Sequence, residues 1–338
     1  MVNNNLPNLN GTRILVTGGL GFIGSNIALA CVQHGAIVTI YDNLDPHSGG
    51  NLHNIAEIRD VIRHQMGSIS DFETISTAVQ NQDIVINCAA STSHPFSMED
   101  PWLNSDVNSR GAINLLEAVK RFNRDARIIH IGTTTQLGPL HYRPADELHP
   151  EFPLDVYSAN KMVSEKYVLL YANTYDLDAI VLRLPNVYGP RAAIHSPAFT
   201  FINYFIGQGL QGMPVPVFSP GHQLRNLLYV GDAVTAILLA MKKDALSVGT
   251  YNVCGNQHLS VRDIGQKIGD YFGCGVKLLD WPDGRKSIDV GDAVFSSQKF
   301  NCATGWIPVV ELEQALPEIE TFFRASFDKY LPTQTTER

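Results

Sequence analysis

Tyr157 and Lys161 stand four residues apart in Asp155-Val156-Tyr157-Ser158-Ala159-Asn160-Lys161. On a helix that interval is about one turn, so both side chains project from one face and can act as a unit. A phenol titrates near pH ~10 and serves as a base near neutrality only where positive charge stabilises the phenolate. The Lys161 ammonium is such a charge. The pair therefore reads as a device for taking a proton from an alcohol oxygen and returning it. Because a bare Tyr-x-x-x-Lys also arises by chance, its weight depends on its company. Upstream, the strand pattern Arg127 to Ile131 runs into Gly132-Thr133-Thr134-Thr135-Gln136-Leu137-Gly138, which puts hydroxyls at a strand's carboxyl end. One of them could bond the reacting oxygen, although threonines there also serve as caps and turns.

A second group of residues supplies the oxidant's seat. Gly18, Gly21 and Gly24 are spaced G-x-x-G-x-x-G in Thr17-Gly18-Gly19-Leu20-Gly21-Phe22-Ile23-Gly24, after a strand pattern and opening a helical one. In that context the first glycine permits a tight turn, the second lets backbone approach a pyrophosphate, and the third allows close helix packing. The helix N-terminus favours the negative charge. Asp42 ends the second strand pattern, 24 positions after Gly18 (42 − 18). A carboxylate there accepts from both ribose hydroxyls and repels a 2′-phosphate, so the expected cofactor is NAD rather than NADP.

These residues need a scaffold that brings strand ends together. The first half alternates short apolar runs with helical periodicity, as a parallel sheet covered on both faces requires. Strands are expected at Arg13 to Val16, Ile37 to Tyr41, Val61 to Gln65, Ile84 to Asn87, Arg127 to Ile131 and Ala179 to Arg183, with helices beginning near Phe22, Phe72, Asn104 and Asp155. From about Pro185, Pro- and Gly-rich connections separate helices expected at Ala198 to Gly207, Asp232 to Lys242, Val261 to Phe272 and Val310 to Phe323. The fold class is thus α/β: a Rossmann-like doubly wound parallel sheet with a smaller C-terminal α/β substrate lobe. The expected division is 1–185 for the NAD-binding domain and 186–338 for the substrate lobe, interleaved, with 226–245 returning to the first. Ligands then sit between the two, beyond the carboxyl ends of the strands.

Composition narrows the function class. The 338 residues are 44% hydrophobic, enough for a large core without staples. A net charge of −8 without any basic run argues against a nucleic-acid groove or a polybasic membrane patch. Cys31, Cys88, Cys254, Cys274 and Cys302 form no C-x-x-C pair and no cluster at metal-ligand spacing, so free thiols in a reducing cytosol are expected and no metal is. Met1 to Pro7 lacks the layout of a signal peptide, no apolar stretch approaches the ~20 residues of a membrane span, and the tail from Leu331 to Arg338 reads as frayed.

From about Gly11 to Phe323 the chain resembles the extended short-chain dehydrogenases, specifically the nucleotide-sugar epimerase/dehydratase family. The matching blocks are Leu15-Val16-Thr17-Gly18-Gly19-Leu20-Gly21-Phe22-Ile23-Gly24-Ser25, Tyr41-Asp42-Asn43-Leu44, Tyr157-Ser158-Ala159-Asn160-Lys161, Leu182-Arg183-Leu184-Pro185-Asn186-Val187-Tyr188-Gly189-Pro190 and Gln223-Leu224-Arg225-Asn226-Leu227-Leu228-Tyr229-Val230-Gly231-Asp232. The resemblance implies that Tyr157 is the acid/base, that Lys161 partners it and holds the nicotinamide ribose, and that Thr133, five positions before Gly138, is the catalytic hydroxyl. It implies a cofactor surface of Gly18, Gly21, Phe22, Ile23, Gly24, Asp42, Asn43, Ser68, Ile69, Ala89, Ala90, Asn108 and Pro185 beside Tyr157 and Lys161. Substrate contacts would come from Ser93, His94, Thr133, Thr134, Tyr157, Asn186, Arg225, Lys286 and Asp289. Arg225 suits a diphosphate because its guanidinium is a charged fork. A homodimer through the helices near Asn104 to Arg121 and Asp155 to Tyr171 is also implied.

Within the family, members that eliminate water resemble one another in placing Asp-Glu after the catalytic Thr, where Thr134 and Thr135 stand here. Decarboxylating members typically have a Glu there as well. Members that epimerise carbons 3 and 5 add a pocket cysteine and lysine, whereas Cys88 is expected within a strand. The resemblance therefore implies a UDP-hexose 4-epimerase, in which the sugar is oxidised at C4 and takes the hydride back on its other face. A dehydratase, decarboxylase or reductase of the same family, a simple NAD-dependent alcohol or hydroxysteroid-type dehydrogenase, and a non-catalytic nicotinamide sensor are the alternatives. The Arg-x-x-Asp usual near the C-terminus appears as Lys286-Ser287-Ile288-Asp289, with Arg285 adjacent. Ala293 falls where restrictive epimerases carry a bulky Tyr, which implies room for a 2-acetamido group. His94 is expected near the pocket mouth, within reach of the sugar or its carboxylate, and His130 in the core.

Overall fold

In the computed structural model of the chain, residues 6–282 and 284–331 are described; most of the polar N-terminal run and the tail beyond Leu331 lie outside them. The strands are β1 (Arg13–Thr17), β2 (Ile37–Asp42), β3 (Arg63–Met66), β4 (Ile84–Asn87), β5 (Arg127–Thr133), β6 (Ala179–Leu184), β7 (Asn186–Tyr188), β8 (Val215–Phe218), β9 (Leu224–Tyr229), β10 (Gly249–Asn252), β11 (Gln257–Ser260) and β12 (Val276–Leu279). The helices are α1 (Phe22–Gln33), α2 (Phe72–Ala78), α3 (His94–Glu99), α4 (Pro101–Ser105), α5 (Gly111–Phe122), α6 (Val156–Tyr175), α7 (Phe201–Leu210), α8 (Val230–Ala240), α9 (Val261–Phe272), α10 (Gln298–Thr304) and α11 (Leu312–Ala325).

Seven strands pair in the order β10-β6-β5-β4-β1-β2-β3, all parallel. Their side chains alternate between two cores, as the pleat dictates. Ile14, Val16, Ile86, Ile129, Ile180 and Leu182 enter one. Leu15, Val85, Ile128 and Val181 enter the other. Both faces being buried explains why these strands read as continuous apolar runs. Chain direction across the sheet reverses between β1 and β4, and that switch point opens a crevice beyond the strand ends.

The six strands expected from sequence all form, with Val61 to Gln65 shifted to Arg63–Met66. The seventh, β10, was not expected. Gly-Thr-Tyr-Asn has no apolar run, and its place beside β6 depends on long-range pairing. The helix expected near Asn104 starts earlier, at Pro101, where Asp100 caps Leu103 N at 2.9 Å, and a π-turn at Asp106–Arg110 interrupts it before α5. Outside the main sheet, β11-β9-β7 and β12-β8 form two small sheets in the C-terminal half of the chain.

Helix α6 carries the Tyr-Lys pair and is pinned at its start and again at its middle. Asp155 Oδ1 accepts from Ser158 N at 2.7 Å and caps its start. One turn beyond Lys161, Glu165 is fully buried and accepts from Arg183 of β6 at 2.6 and 2.8 Å, from Gln136 at 2.9 Å and from Thr250 of β10 at 3.1 Å. Such a pair holds position firmly, since stranding either charge costs about 3–5 kcal/mol. It ties the helix to two strands at once.

Candidate active site

The crevice is a cavity of about 680 Å³ running from the glycine turn to the loops around Gln223 and Arg285. At its head, Gly18 takes a left-handed φ of +65°, and a Cβ there would stand 2.8 Å from the Ala89 backbone. A Cβ on Gly24 would meet the Gly18 carbonyl oxygen at 2.2 Å. The turn can therefore be built only from glycine at both points. Gly21, Phe22 and Ile23 line the cavity where α1 begins. Asp42 lies at the end of β2 with its two oxygens accepting from Leu20 N at 3.0 Å and Leu44 N at 2.8 Å, which aims the carboxylate into the same space. Asn43, Ser68, Ile69, Ala89, Ala90 and Pro185 complete this half of the wall. A narrow backbone cradle at a helix N-terminus with a carboxylate across from it fits a dinucleotide whose ribose carries no phosphate.

Thr133, Tyr157 and Lys161 face the cavity together. Burial pushes the Tyr157 phenol above its usual range and Asp155 pushes it further, while a hydrogen bond with Thr133 works the other way. Lys161 does not touch the phenol in this arrangement. Its Nζ donates to Ile131 O at 2.6 Å, and burial brings the ammonium down from 10.5 to about 8. It stays charged at neutral pH. The expected charge is in place, but the phenol needs a further positive neighbour to become a base, as a bound oxidised nicotinamide would be.

A buried row of polar side chains crosses the sheet to Lys161. Thr17 Oγ1 donates to Asn87 Oδ1 at 2.7 Å, and Asn87 Nδ2 bonds His130 Nδ1 at 3.0 Å. With Nδ1 accepting, the His130 proton sits on Nε2, which faces Ser164 Oγ at 3.3 Å and Lys161 Nζ at 3.4 Å. Burial and the Lys161 charge hold His130 neutral, its pKa well below the ordinary value. His130 is a core residue, as expected, but it also forms one wall of the lysine's site. No local spacing signals it, because the row exists only across paired strands.

His94 lines the cavity next to Tyr157, the rings 4.7 Å apart and edge to face. Its Nδ1 lies 2.7 Å from Asp155 Oδ2, the oxygen not used for capping the backbone of α6. Ser158 Oγ also lies 3.2 Å from Oδ2 and 3.0 Å from Thr135 Oγ1, and Thr135 Oγ1 lies 3.0 Å from Thr133 Oγ1. The Thr133 hydroxyl and the His-Asp pair thus belong to one hydrogen-bonded group. Asp155, Thr135 and His130 are the members that sequence reasoning missed; Asp155 was visible only as a helix start.

At the end away from the glycine turn, Asn186, Arg225 and Asp289 line the cavity. Arg225 donates to Asp289 Oδ2 and to Gly291 O, both at 2.6 Å, and Asn186 Nδ2 donates to Asn226 O at 3.2 Å. Several expected contacts are placed elsewhere. Lys286 is exposed on a 3-10 turn and off the wall; Arg285, one residue earlier, faces the cavity instead. Ser93 is buried as the cap of α3, accepting from Phe96 N at 3.2 Å. Asn108, in the π-turn, is buried and clamps Ser91, accepting from its N–H at 3.0 Å and donating to its carbonyl at 2.9 Å, so it shapes the loop after β4 rather than the wall. Thr134 is buried in the turn after β5 and is likewise off the wall. Ala293 packs with Leu137, Ala145, Cys254 and Phe295 in a closed apolar cluster, so its small size makes no room for a substituent in the cavity. Cys88, expected inside a strand, is the first residue beyond β4 and does line the cavity, its thiol raised to about 12 by burial. Among the described residues no group of His, Cys, Asp and Glu could hold a metal, and no helix is long and apolar enough to cross a membrane.

Residues 14–254 match the family described as NAD dependent epimerase/dehydratase family. The chain is 30% identical over 322 residues to a Methanocaldococcus jannaschii protein provisionally named a UDP-glucose 4-epimerase, covering 92% of this chain and 98% of the relative. It is 34% identical over 267 residues to a dTDP-glucose 4,6-dehydratase of Xanthomonas campestris pv. campestris, covering 75% and 74%. The crystal structure of the Thermus thermophilus UDP-glucose 4-epimerase in complex with NAD superposes with a TM-score of 0.83 at 29% identity, covering 93% of this chain and all of that one. With the glycine cradle, the acidic strand end and the Thr-Tyr-Lys set in one crevice, these matches settle the class: the chain belongs to the NAD-dependent nucleotide-sugar epimerase/dehydratase family.

Proposed function

We propose that the protein is a UDP-hexose 4-epimerase. The observation that carries this reading is the pair of residues directly after Thr133. Thr134 is buried away from the cavity and Thr135 offers only a hydroxyl, so the position lacks the carboxyl pair that elimination of water at the next carbons would use. NAD, when bound, takes up the sugar's C4 hydride and gives it back.

The chain's own groups do the rest. Tyr157 Oη takes the proton of the C4 hydroxyl and later returns it, with the Thr133 hydroxyl holding that oxygen during both transfers. Lys161 keeps a positive charge beside the phenol while it is ionised. Asp42 accepts from the adenosine ribose. Arg225, its fork aimed by Asp289, joins Arg285 and Asn186 in holding the diphosphate, and this hold lets the sugar turn over without leaving. Burial lowers the Arg285 pKa from its usual value, and among the described residues it has no carboxylate partner, as suits a cation awaiting an anionic ligand. We assign residues 1–185 to cofactor binding and 186–338 to the substrate, with 226–245 returning to the first. Exposed Trp102 on α4 and Leu170 on α6 would pair across a homodimer. A reducing, cytosolic setting suits the five free cysteines.

Purified protein incubated with a panel of UDP-, dTDP-, GDP- and CDP-sugars tests the assignment. An isobaric C4 epimer from a UDP-hexose is the expected product. A product lighter by one water, or activity confined to another nucleotide, overturns it.

A further inference from the structure

C4 epimerisation as described leaves His94 without a task. Tyr157 handles the only proton that moves, and the fold does not require an imidazole at the start of a six-residue helix that Ser93 already caps. Yet the ring is held as a working base is held. Asp155 divides its oxygens, Oδ1 capping α6 at Ser158 N (2.7 Å) and Oδ2 fixing His94 Nδ1 (2.7 Å). The carboxylate is 3% exposed, so it meets the ring in a dry setting, whereas the His94 side chain is 32% exposed. A carboxylate beside Nδ1 places the proton there and leaves the Nε2 lone pair free. Among the described residues Nε2 has no partner. The ring lines the cavity in edge contact with Tyr157, the residue that addresses the sugar oxygen.

We propose that His94, oriented by Asp155, is a second acid/base of this pocket that acts on the C–H of the ring carbon next to C4 while C4 is a ketone. The inference rests on the proposed oxidation at C4. A ketone acidifies the C–H bonds on both flanking carbons. In the step, that C–H bond breaks, its electron pair forms the carbon–carbon double bond of an enolate, and the carbonyl pair moves onto the C4 oxygen. The proton goes to Nε2. The enolate oxygen is met by the Tyr157 O–H, protonated when the C4 hydroxyl was oxidised, and by Thr133. Nothing is oxidised or reduced, and reversal returns a proton to the same carbon. Because the imidazole is partly exposed, the proton on Nε2 trades with water, so the carbon acquires solvent hydrogen. The hydride restored at C4 comes from the sugar and carries none.

The test is incubation of the NAD-loaded enzyme with UDP-glucose, UDP-galactose and UDP-glucuronate in D2O, with products read by mass and proton NMR. Deuterium at C3 or C5 with protium kept at C4 is the expected result. In His94→Gln the label per C4 turnover should fall at least tenfold. Asp155→Asn, which keeps a competent helix cap, should reduce the same ratio and shift the neutral His94 tautomer away from Nδ1–H in nitrogen-15 NMR. C4 epimers without label overturn this inference and leave the proposed function standing. Label without C4 inversion, or label accompanied by loss of water, overturns the 4-epimerase reading and supports His94 as the base only where His94→Gln lowers that label. Absence of both products overturns both, and label undiminished per turnover in His94→Gln assigns the base elsewhere and refutes the proposal.

Discussion

Lys161 pays in stability for its place in the site, and Lys161→Met measures how much. Burial lowers its ammonium from 10.5 to about 8. At about 1.4 kcal/mol for each pH unit, that difference makes the charged form roughly 3 kcal/mol less favourable in the folded chain. Between pH 8 and 10.5 the unfolded chain binds more protons at this residue than the folded one, so the lysine's contribution to stability rises with pH across that window. Below it the full penalty is present. Methionine has similar length and no charge, so the substitution removes the penalty at pH 7 but leaves the Ile131 carbonyl without its 2.6 Å donor. That loss costs about 1–2 kcal/mol. The variant should therefore be about 1–2 kcal/mol more stable than wild type at pH 7, by urea unfolding without nucleotide. The advantage should vanish or reverse by pH 10.5, and turnover should fall at least a hundredfold. Destabilisation at pH 7, or a difference that does not change between pH 7 and 10.5, would falsify the account of Lys161 as a charge held in a dry site.

Tyr157→Phe should lower kcat by about 10²–10⁴ with little change in KM, because one hydroxyl leaves and the packing stays; undiminished turnover refutes its role as acid/base. Asp42→Asn should weaken NAD binding about tenfold and narrow the preference over NADP, measured by fluorescence titration; faster wild-type turnover with NADPH than with NADH refutes the reading of Asp42. Arg285→Ala should weaken UDP binding in calorimetry by about 10–100-fold, the loss of one charge-assisted contact. Lys286→Ala, on the outer side of the same turn, should leave it unchanged, and the reverse pattern would restore the spacing-based assignment. Trp102→Glu tests the proposed homodimer: a fall from dimer to monomer mass in light scattering is the expected result, and an unaltered mass places any interface elsewhere.

What could be read from the sequence is what a single element does with itself. The strands were legible because Ile14 to Val16 or Ile84 to Ile86 is buried on both faces, which forces an unbroken apolar run. The glycine turn and the Tyr157-Lys161 pair were legible because their geometry is local, set by a turn and by one helical repeat. Errors arose where a side chain's direction depends on one residue of register. Cys88 crosses from strand to cavity wall because β4 stops at Asn87. Alignment by spacing selects Lys286, but the 3-10 turn gives Arg285 to the cavity. Other features had no local signal. β10 is recognised only by its partner β6, the row from Thr17 to His130 only across three strands, and the His94-Asp155 pair only by a contact between residues 61 apart. The two classes differ in what they tell about function. Local patterns report the dinucleotide turn and the paired Tyr157 and Lys161, whose geometry one turn and one helix face determine. The contacts between distant elements set what would surround the sugar after the proposed oxidation. A ketone beside an oriented imidazole has reactions open to it that a ketone beside inert side chains does not, so under the proposed oxidation at C4 the pair that spacing could not reveal is where this chain would differ from a plain 4-epimerase.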